Sequence, residues 1–239
     1  RFGFTAAELE RTKKTMLANY ERNYNNRDKT ESDNFVEEYI GHFLSQEPIP
    51  GIEKEFAYVK ELLPGITIEE VNAVSNKFKD EKNRFVYVAG PEPAANESLP
   101  TEKDLLAAID AKEKSNITPY EEKAVASTLL AKDPKAGKVV SKSTNAVLGT
   151  TQLKLSNGVT VTLKPTTFKN DQILMGATRA GGKNNYGLAD KFNAEYAVGV
   201  VTAMGVGQFS PVDLRKAPAG KTAVVHPLFS AIRQGVRGN

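Results

Sequence analysis

The chain has 239 residues, 40% of them hydrophobic and 26% charged, an ordinary balance for a globular protein. At roughly 150 residues per domain this is one large domain or two small ones. Lys and Arg total 32 against 29 for Asp and Glu, a formal charge of +3. With no dense basic stripe, that charge argues against a nucleic-acid partner. There is no Cys, which excludes disulfide frameworks, thiolate zinc sites and cysteine nucleophiles. His42 and His226 are the only histidines, so imidazole chemistry has little to draw on. No run reaches about 18 consecutive apolar residues, and no membrane span is expected. Arg1-Phe2-Gly3-Phe4 carries no signal-peptide pattern. The chain reads as a stretch of a longer polypeptide.

Residues 1–80 are helical by pattern. Thr5-Ala6-Ala7-Glu8 forms a capping-box arrangement, and Leu9, Met16, Leu17, Tyr20 and Tyr24 then recur at near-helical spacing. Asn25-Asn26-Arg27-Asp28 interrupts the period. A second helix carries Phe35, Val36, Tyr39, Ile40, Phe43 and Leu44 and ends before the Pro48 to Gly51 breakers. A third runs through Ile52, Phe56, Val59, Leu62 and Leu63 to Pro64-Gly65. A second capping box, Thr67-Ile68-Glu69-Glu70, opens a fourth through Val71, Val74 and Phe78. Arg84 to Ala89 is a β-branched and aromatic run that predicts a strand buried on both faces. Its partner strands are expected to precede Arg1.

From Pro91 to about Thr150 the texture changes. Residues 91–98 are polar and extended, as a domain boundary tends to be. Two short amphipathic helices are expected, Thr101 to Lys112 and Pro119 to Ala131, before the breakers of residues 132–138. At Gln152 the period switches to two. Leu153, Leu155, Val159, Val161 and Leu163 alternate around Asn157-Gly158, a hairpin signal in which both central residues take positive φ. Further strands are expected at Ile173 to Ala177 and Thr222 to Val225. A loop at Ala180 to Lys183, a buried helix from Leu188 to Met204 and a helix opening at Pro211 complete the reading.

None of the candidate sites is a complete one. His42 and His226 have no histidine nearby in sequence to complete a zinc motif, and both read as structural or surface residues. Ala180-Gly181-Gly182-Lys183 and the glycines at 199, 205 and 207 lack the spacing of a phosphate loop. Arg11, Lys13, Lys14, Lys112 and Lys114 read as solvated helix faces. Tyr20, Tyr24, Tyr39 and Tyr58 fall at core-facing positions.

The ordered set of pieces resembles the pitrilysin (insulinase) family of zinc endopeptidases. Phe4 to Lys13 looks like the helix entry near the end of the family's second domain. Ile66 to Val74 followed by Asn83 to Pro91 looks like its closing helix and strand, and Leu155 to Pro165 like the hairpin that opens each half. The resemblance covers most of 1–93 and 151–239, and it rests on the order of the pieces. It implies a mixed α+β or α/β fold: two partial units, each a largely antiparallel sheet with helices packed on it, joined by a helical linker. Residues 1–93 would end the second domain, 94–150 would be the linker with two short helices, and 151–239 would begin the third.

The family's zinc motif, His-x-x-Glu-His, lies on a helix of the first domain, and a further Glu completes the ligand set. In the third domain the equivalent helix here is Lys191 to Met204, where Tyr196, Gly199 and Val200 match the positions of the first His, the Glu and the second His. This half is therefore expected to be inactive, with no catalytic residue and no metal or cofactor of its own. Zinc is expected in the parent protein, outside this stretch. The implied partners are a peptide substrate and the remaining domains of the same polypeptide. A bacterial periplasm or cell envelope is the expected compartment in preference to the cytoplasm. Two other functions fit the residues: a non-catalytic scaffold or regulatory subunit of the same family, and an unrelated peptide-binding module.

Overall fold

A computed structural model of the chain describes residues 2–79, 85–90, 98–122, 128–130, 132–221 and 223–239. The fold is mixed α+β with antiparallel sheets. Its helices are α1 (Ala6–Asn25), α2 (Ser32–Ser45), α3 (Ile52–Leu62), α4 (Ile68–Ser75), α5 (Glu102–Lys114), α6 (Lys191–Met204) and α7 (Pro211–Lys216). The strands are β1 (Val139–Asn145), β2 (Thr150–Leu155), β3 (Thr160–Leu163), β4 (Met175–Ala180), β5 (Val225–Phe229) and β6 (Arg233–Gly238). Two compact units result. One comprises residues 1–9 and 66–123, the other residues 10–65 and 124–239.

The first unit is organised by caps. Thr5 accepts from the Glu8 amide at 3.2 Å while Glu8 takes the Thr5 amide at 2.7 Å, so both expected partners of the α1 cap are in place. Phe4 and Asn72 exchange two hydrogen bonds, the Phe4 amide to Asn72 Oδ1 at 2.7 Å and Asn72 Nδ2 to the Phe4 carbonyl at 3.2 Å. They tie the chain ahead of α1 to α4. The second expected capping box also forms, at Thr67 and Glu70, and a third at Thr101 and Asp104 starts α5. Each satisfies amides that a helix start leaves without partners.

Residues 85–90 form no strand and pair with none among the described residues, and all six are exposed, with Phe85 at 87%. This corrects the expectation of a doubly buried strand, of which Arg84 lies outside the described residues. Val86 and Val88 line an open concavity with Leu105 and Ile109 of α5, but among the described residues no strand flanks them. A β-branched run acquires its burial from neighbours, and among the described residues too few stand against it to bury it. The polar boundary at 91–97 lies outside the described residues. So does the middle of the second expected linker helix, residues 123–127; residues 119–122 and 128–130 are not helical.

In the second unit α1 meets α3 through the Tyr24 and Phe56 rings, 5.3 Å apart. The Arg27 guanidinium lies over Tyr24 at 4.3 Å and pairs with Glu53 at 3.2 Å. Lys13 donates to the Pro64 carbonyl at 3.1 Å and is only 15% exposed at its side chain, so it is not the solvated residue its spacing suggested. Of the four tyrosines expected to face a core, Tyr20 and Tyr24 are half-buried and Tyr39 and Tyr58 are exposed.

Two three-stranded sheets follow, ordered β1-β2-β3 and β4-β6-β5, antiparallel throughout. The expected hairpin joins β2 to β3, with Leu153 opposite Val161 and Thr151 opposite Leu163. Its loop has three residues: Leu155 N–H bonds to the Val159 carbonyl at 2.8 Å and Gly158 N–H to the Leu155 carbonyl at 2.9 Å. Only Gly158 has positive φ, at 85°. Asn157 instead accepts the Val159 amide on Oδ1 at 3.1 Å. The tight two-residue turn expected from Asn-Gly is thus replaced by the next commonest hairpin loop, which needs a single left-handed residue.

Strand β1 falls inside residues 94–150, where only helices were expected. The expected strands at 173–177 and 222–225 appear as β4, displaced toward Ala180, and β5, which begins at Val225; Thr222 lies outside the described residues. Between them runs β6, with no counterpart in the sequence reading. The expected buried helix appears as α6 with a 3-10 turn, Leu188–Asp190, before it, but Ala194 is its one buried residue. Ala197 and Val198 are half-buried where the helix meets β5 and α7, and its remaining apolar side chains are exposed. Helix α7 begins as expected, with Ser210 accepting from the Asp213 amide at 3.2 Å and Pro211 in the first turn.

Two outcomes follow from these contacts. Gly182 has φ 97°, and a Cβ there would lie 2.7 Å from the Ala231 carbonyl oxygen. Gly182→Ala should therefore cost about 1–3 kcal/mol in urea denaturation. Gly176→Ala in β4, with open space around it, should change stability by about 1 kcal/mol or less. Hydrogen bonds from the Thr101 hydroxyl and amide hold the Asp104 carboxyl below its usual 3.8. A lowered folded value stabilises the cap above the unfolded value, and the benefit disappears as pH falls through the folded one. Acidification below 3.8 should thus fray the start of α5. In an NMR titration, Thr101→Val should move Asp104 back up toward the usual value; an unmoved titration would contradict the capping role.

Candidate functional site

The sequence points first to α6. A helix places residues i and i+4 on one face, so Tyr196 and Val200 stand one above the other. Tyr196 is 65% exposed and Val200 52%. Gly199 is also exposed, and a Cβ built on it would touch nothing within 4 Å. With Phe192 and Met204, and with Leu188 in the 3-10 turn before the helix, all of them exposed, Tyr196 and Val200 make an apolar stripe at four-residue spacing that winds round the helix by about 40° per step. Lys183 pairs with Glu195 at 2.8 Å and borders the helix without joining that stripe.

The donor set does not fit a zinc ion. Zinc takes imidazole, thiolate or carboxylate ligands in tetrahedral array. Gly199 has no side-chain donor, Val200 is hydrocarbon, and Tyr196 offers one phenol. Among the described residues no group of three or more His, Asp or Glu side chains is placed to hold a metal ion. His42 turns its Nδ1 to the Glu47 carbonyl at 2.7 Å, a local contact at the end of α2. His226 lies in β5 opposite Arg237 of β6. The two histidines are thus on separate elements, α2 and β5.

A different concavity was not signalled by any motif. A cavity of about 440 Å³ lies where α1, α2 and α3 meet residues 169–173, within the range of small-molecule and peptide side-chain pockets. Arg22, Arg27, Glu38, Glu55, Lys169 and Asp171 are among the residues that line it. Burial, and then the Glu38 carboxylate, push the Glu55 carboxyl above its usual 4.5. A carboxyl so placed holds its proton to higher pH than a free one. Periodicity could have placed Glu38 and Glu55 on their helices, but no local pattern brings residue 169 to residue 26.

Comparison with known proteins gives the chain a context. No family model matches it. Over 210 residues it is 27% identical to a protein of Arabidopsis thaliana described as zinc protease PQQL-like. That alignment takes in 87% of this chain but 22% of the relative, so the chain spans about a fifth of the relative's length. Among solved structures it is similar to the periplasmic protease PqqL from Escherichia coli, with TM-score 0.45 and 19% identity over 98% of this chain and 26% of that one. It is likewise similar to the ferredoxin protease FusC in complex with Arabidopsis ferredoxin, with TM-score 0.43 and 19% identity over 97% of this chain and 27% of that one. Over most of its length the chain is homologous to part of a PQQL-like zinc protease, in line with the pitrilysin resemblance of its sequence.

Proposed function

We propose that the chain is the central segment of a zinc metalloendopeptidase that degrades peptides or proteins between two closing halves. The observation that supports this reading is its identity with the PQQL-like zinc protease, which runs through 87% of the chain rather than through one motif. In this reading residues 1–93 close the second domain, 94–150 link the halves, and 151–239 open the third domain, whose helix α6 belongs to the inactive half. The segment supplies chamber wall and hinge.

Zinc, held in the parent by residues outside this stretch, would supply an activated water and polarise the scissile carbonyl. The residues of this chain have another task, to bound the space in which a peptide is held. An apolar stripe such as that on α6 suits a wall, since it excludes water without offering a competing ligand. The substrate is a peptide or unfolded protein, and the remaining domains of the parent are the principal partners. A bacterial periplasm or cell envelope is the proposed compartment. No helix of the described residues is long and apolar enough to cross a membrane.

The reading frame upstream of Arg1 tests this proposal most cheaply. An enzyme requires an intact His-x-x-Glu-His there. A degenerate version would mark the parent as a non-catalytic scaffold or regulatory subunit, and an upstream region unrelated to metallopeptidases would leave an independent peptide-binding module. The linker adds a second test. If residues 94–150 limit how far the halves separate, removing part of them should slow turnover of protein-sized substrates by about fivefold or more while short peptides are cut nearly as before. Equal effects on both would argue against a hinge.

A further inference from the structure

Two segments 140 to 145 residues apart in sequence are joined by a dense set of polar contacts. Asn26, in the turn after α1, accepts the Asn170 amide on Oδ1 at 2.9 Å. Its Nδ2 donates to Asp171 Oδ1 at 2.6 Å and to the Arg22 carbonyl at 2.9 Å. Asn170 answers with Nδ2 to the Asn25 carbonyl at 2.6 Å and to Asp28 Oδ1 at 3.4 Å, while its Oδ1 accepts from Lys29 Nζ. Lys169 Nζ donates to the Lys29 carbonyl at 2.9 Å.

The two sides of this clasp are unequal. The turn at 25–29 sustains itself, because Asn26 N–H bonds to the Arg22 carbonyl at 3.1 Å and Lys29 N–H to the Asn26 carbonyl at 2.8 Å. Residues 164–174 have no helix or strand of their own, and Phe168, Ile173 and Leu174 are exposed. The clasp holds the middle of that loop, while at its start Lys164 Nζ donates to the Leu148 carbonyl. Every bond in the clasp is polar and most of its groups are exposed, so each exchanges readily with water. Together they hold; singly none is strong. The same loop, through Lys169, Asp171 and Ile173, walls the cavity that contains Glu38 and Glu55.

We propose that residues 165–174 form a releasable strap, fastened by Asn26 and Asn170, whose release removes one wall of the cavity between α1, α2 and α3. This does not depend on the peptidase reading, since strap, turn and cavity all lie within one compact unit of this chain. The strap opens by loss of side-chain hydrogen bonds, without unfolding the sheets on either side of it.

Residue-resolved hydrogen exchange on the 239-residue chain reads the fastening directly, because the Asn170 amide has Asn26 Oδ1 as its acceptor. In the wild type that amide should exchange about tenfold or more slowly than an unstructured reference. Asn26→Ala should abolish the protection while leaving the Leu155 amide of the β2–β3 hairpin unchanged. Asn26→Asp keeps an acceptor oxygen and should retain much of it. A wild-type Asn170 amide at the reference rate, or one indifferent to Asn26→Ala, would overturn the proposal. Should Asn26→Ala disturb the helices, Asn170→Ala gives a second reading from the other side: acylation of Lys29 should rise above the wild-type rate as its amine loses the Asn170 acceptor. Unchanged Lys29 reactivity would overturn it equally.

Discussion

Uncovered apolar surface governs everything else about this molecule. Among the described residues only Leu63, Ala194 and Phe209 are buried hydrophobics, the last at 4% exposure. Helix α2 presents Phe35, Ile40, Phe43 and Leu44 to solvent, and α6 presents Phe192, Tyr196, Val200 and Met204, with Leu188 exposed in the 3-10 turn before it. Covering the area those five side chains still expose would be worth roughly 5–10 kcal/mol, comparable with the whole stability of an ordinary domain at about 5–15 kcal/mol. A stripe of that size makes sense where another layer covers it. Local caps, turns and polar clasps set the geometry of the elements, but most of the hydrophobic stabilisation their faces could provide is not realised within these residues.

That constraint agrees with the proposed role. The relative is several times longer than the alignment, which takes in 22% of it, so a comparable parent has ample chain to supply a covering layer. The chemistry points the same way. Zinc-dependent hydrolysis needs ligands converging on one point, and α6 has a phenol, a glycine and a valine at the positions where the resemblance would look for them. A helix with that composition can line a space but cannot organise a water for attack.

Local signals were legible in the sequence and tertiary ones were not. The Thr5 and Thr67 capping boxes depend on residues three apart, and both form with the expected partners. The alternation of Leu153, Val161 and Leu163 set the β2–β3 pairing, although the loop between them chose one left-handed residue where two were expected. Strand β6, Arg-Gln-Gly-Val-Arg-Gly, has no apolar alternation. It lies between β4 and β5 because Gly235 and Gly238 permit backbone approach too close for a Cβ, a reason visible only once the neighbours are in place. Strand β1 is exposed along its whole length and so left no pattern of burial to read. The tyrosines misled in the opposite sense: periodicity gives the face a residue occupies, but not whether anything covers that face. The cavity near Glu55 was invisible for a related reason, since its walls come from segments more than a hundred residues apart.

The most direct measurement is zinc stoichiometry and cleavage of an unstructured peptide, made in parallel on this 239-residue chain and on the longer gene product that contains it. The account predicts no stoichiometric zinc and no cleavage for the chain after dialysis, and about one zinc with chelator-sensitive cleavage for the longer protein. A tightly held zinc and unaided cleavage by the chain itself would contradict it.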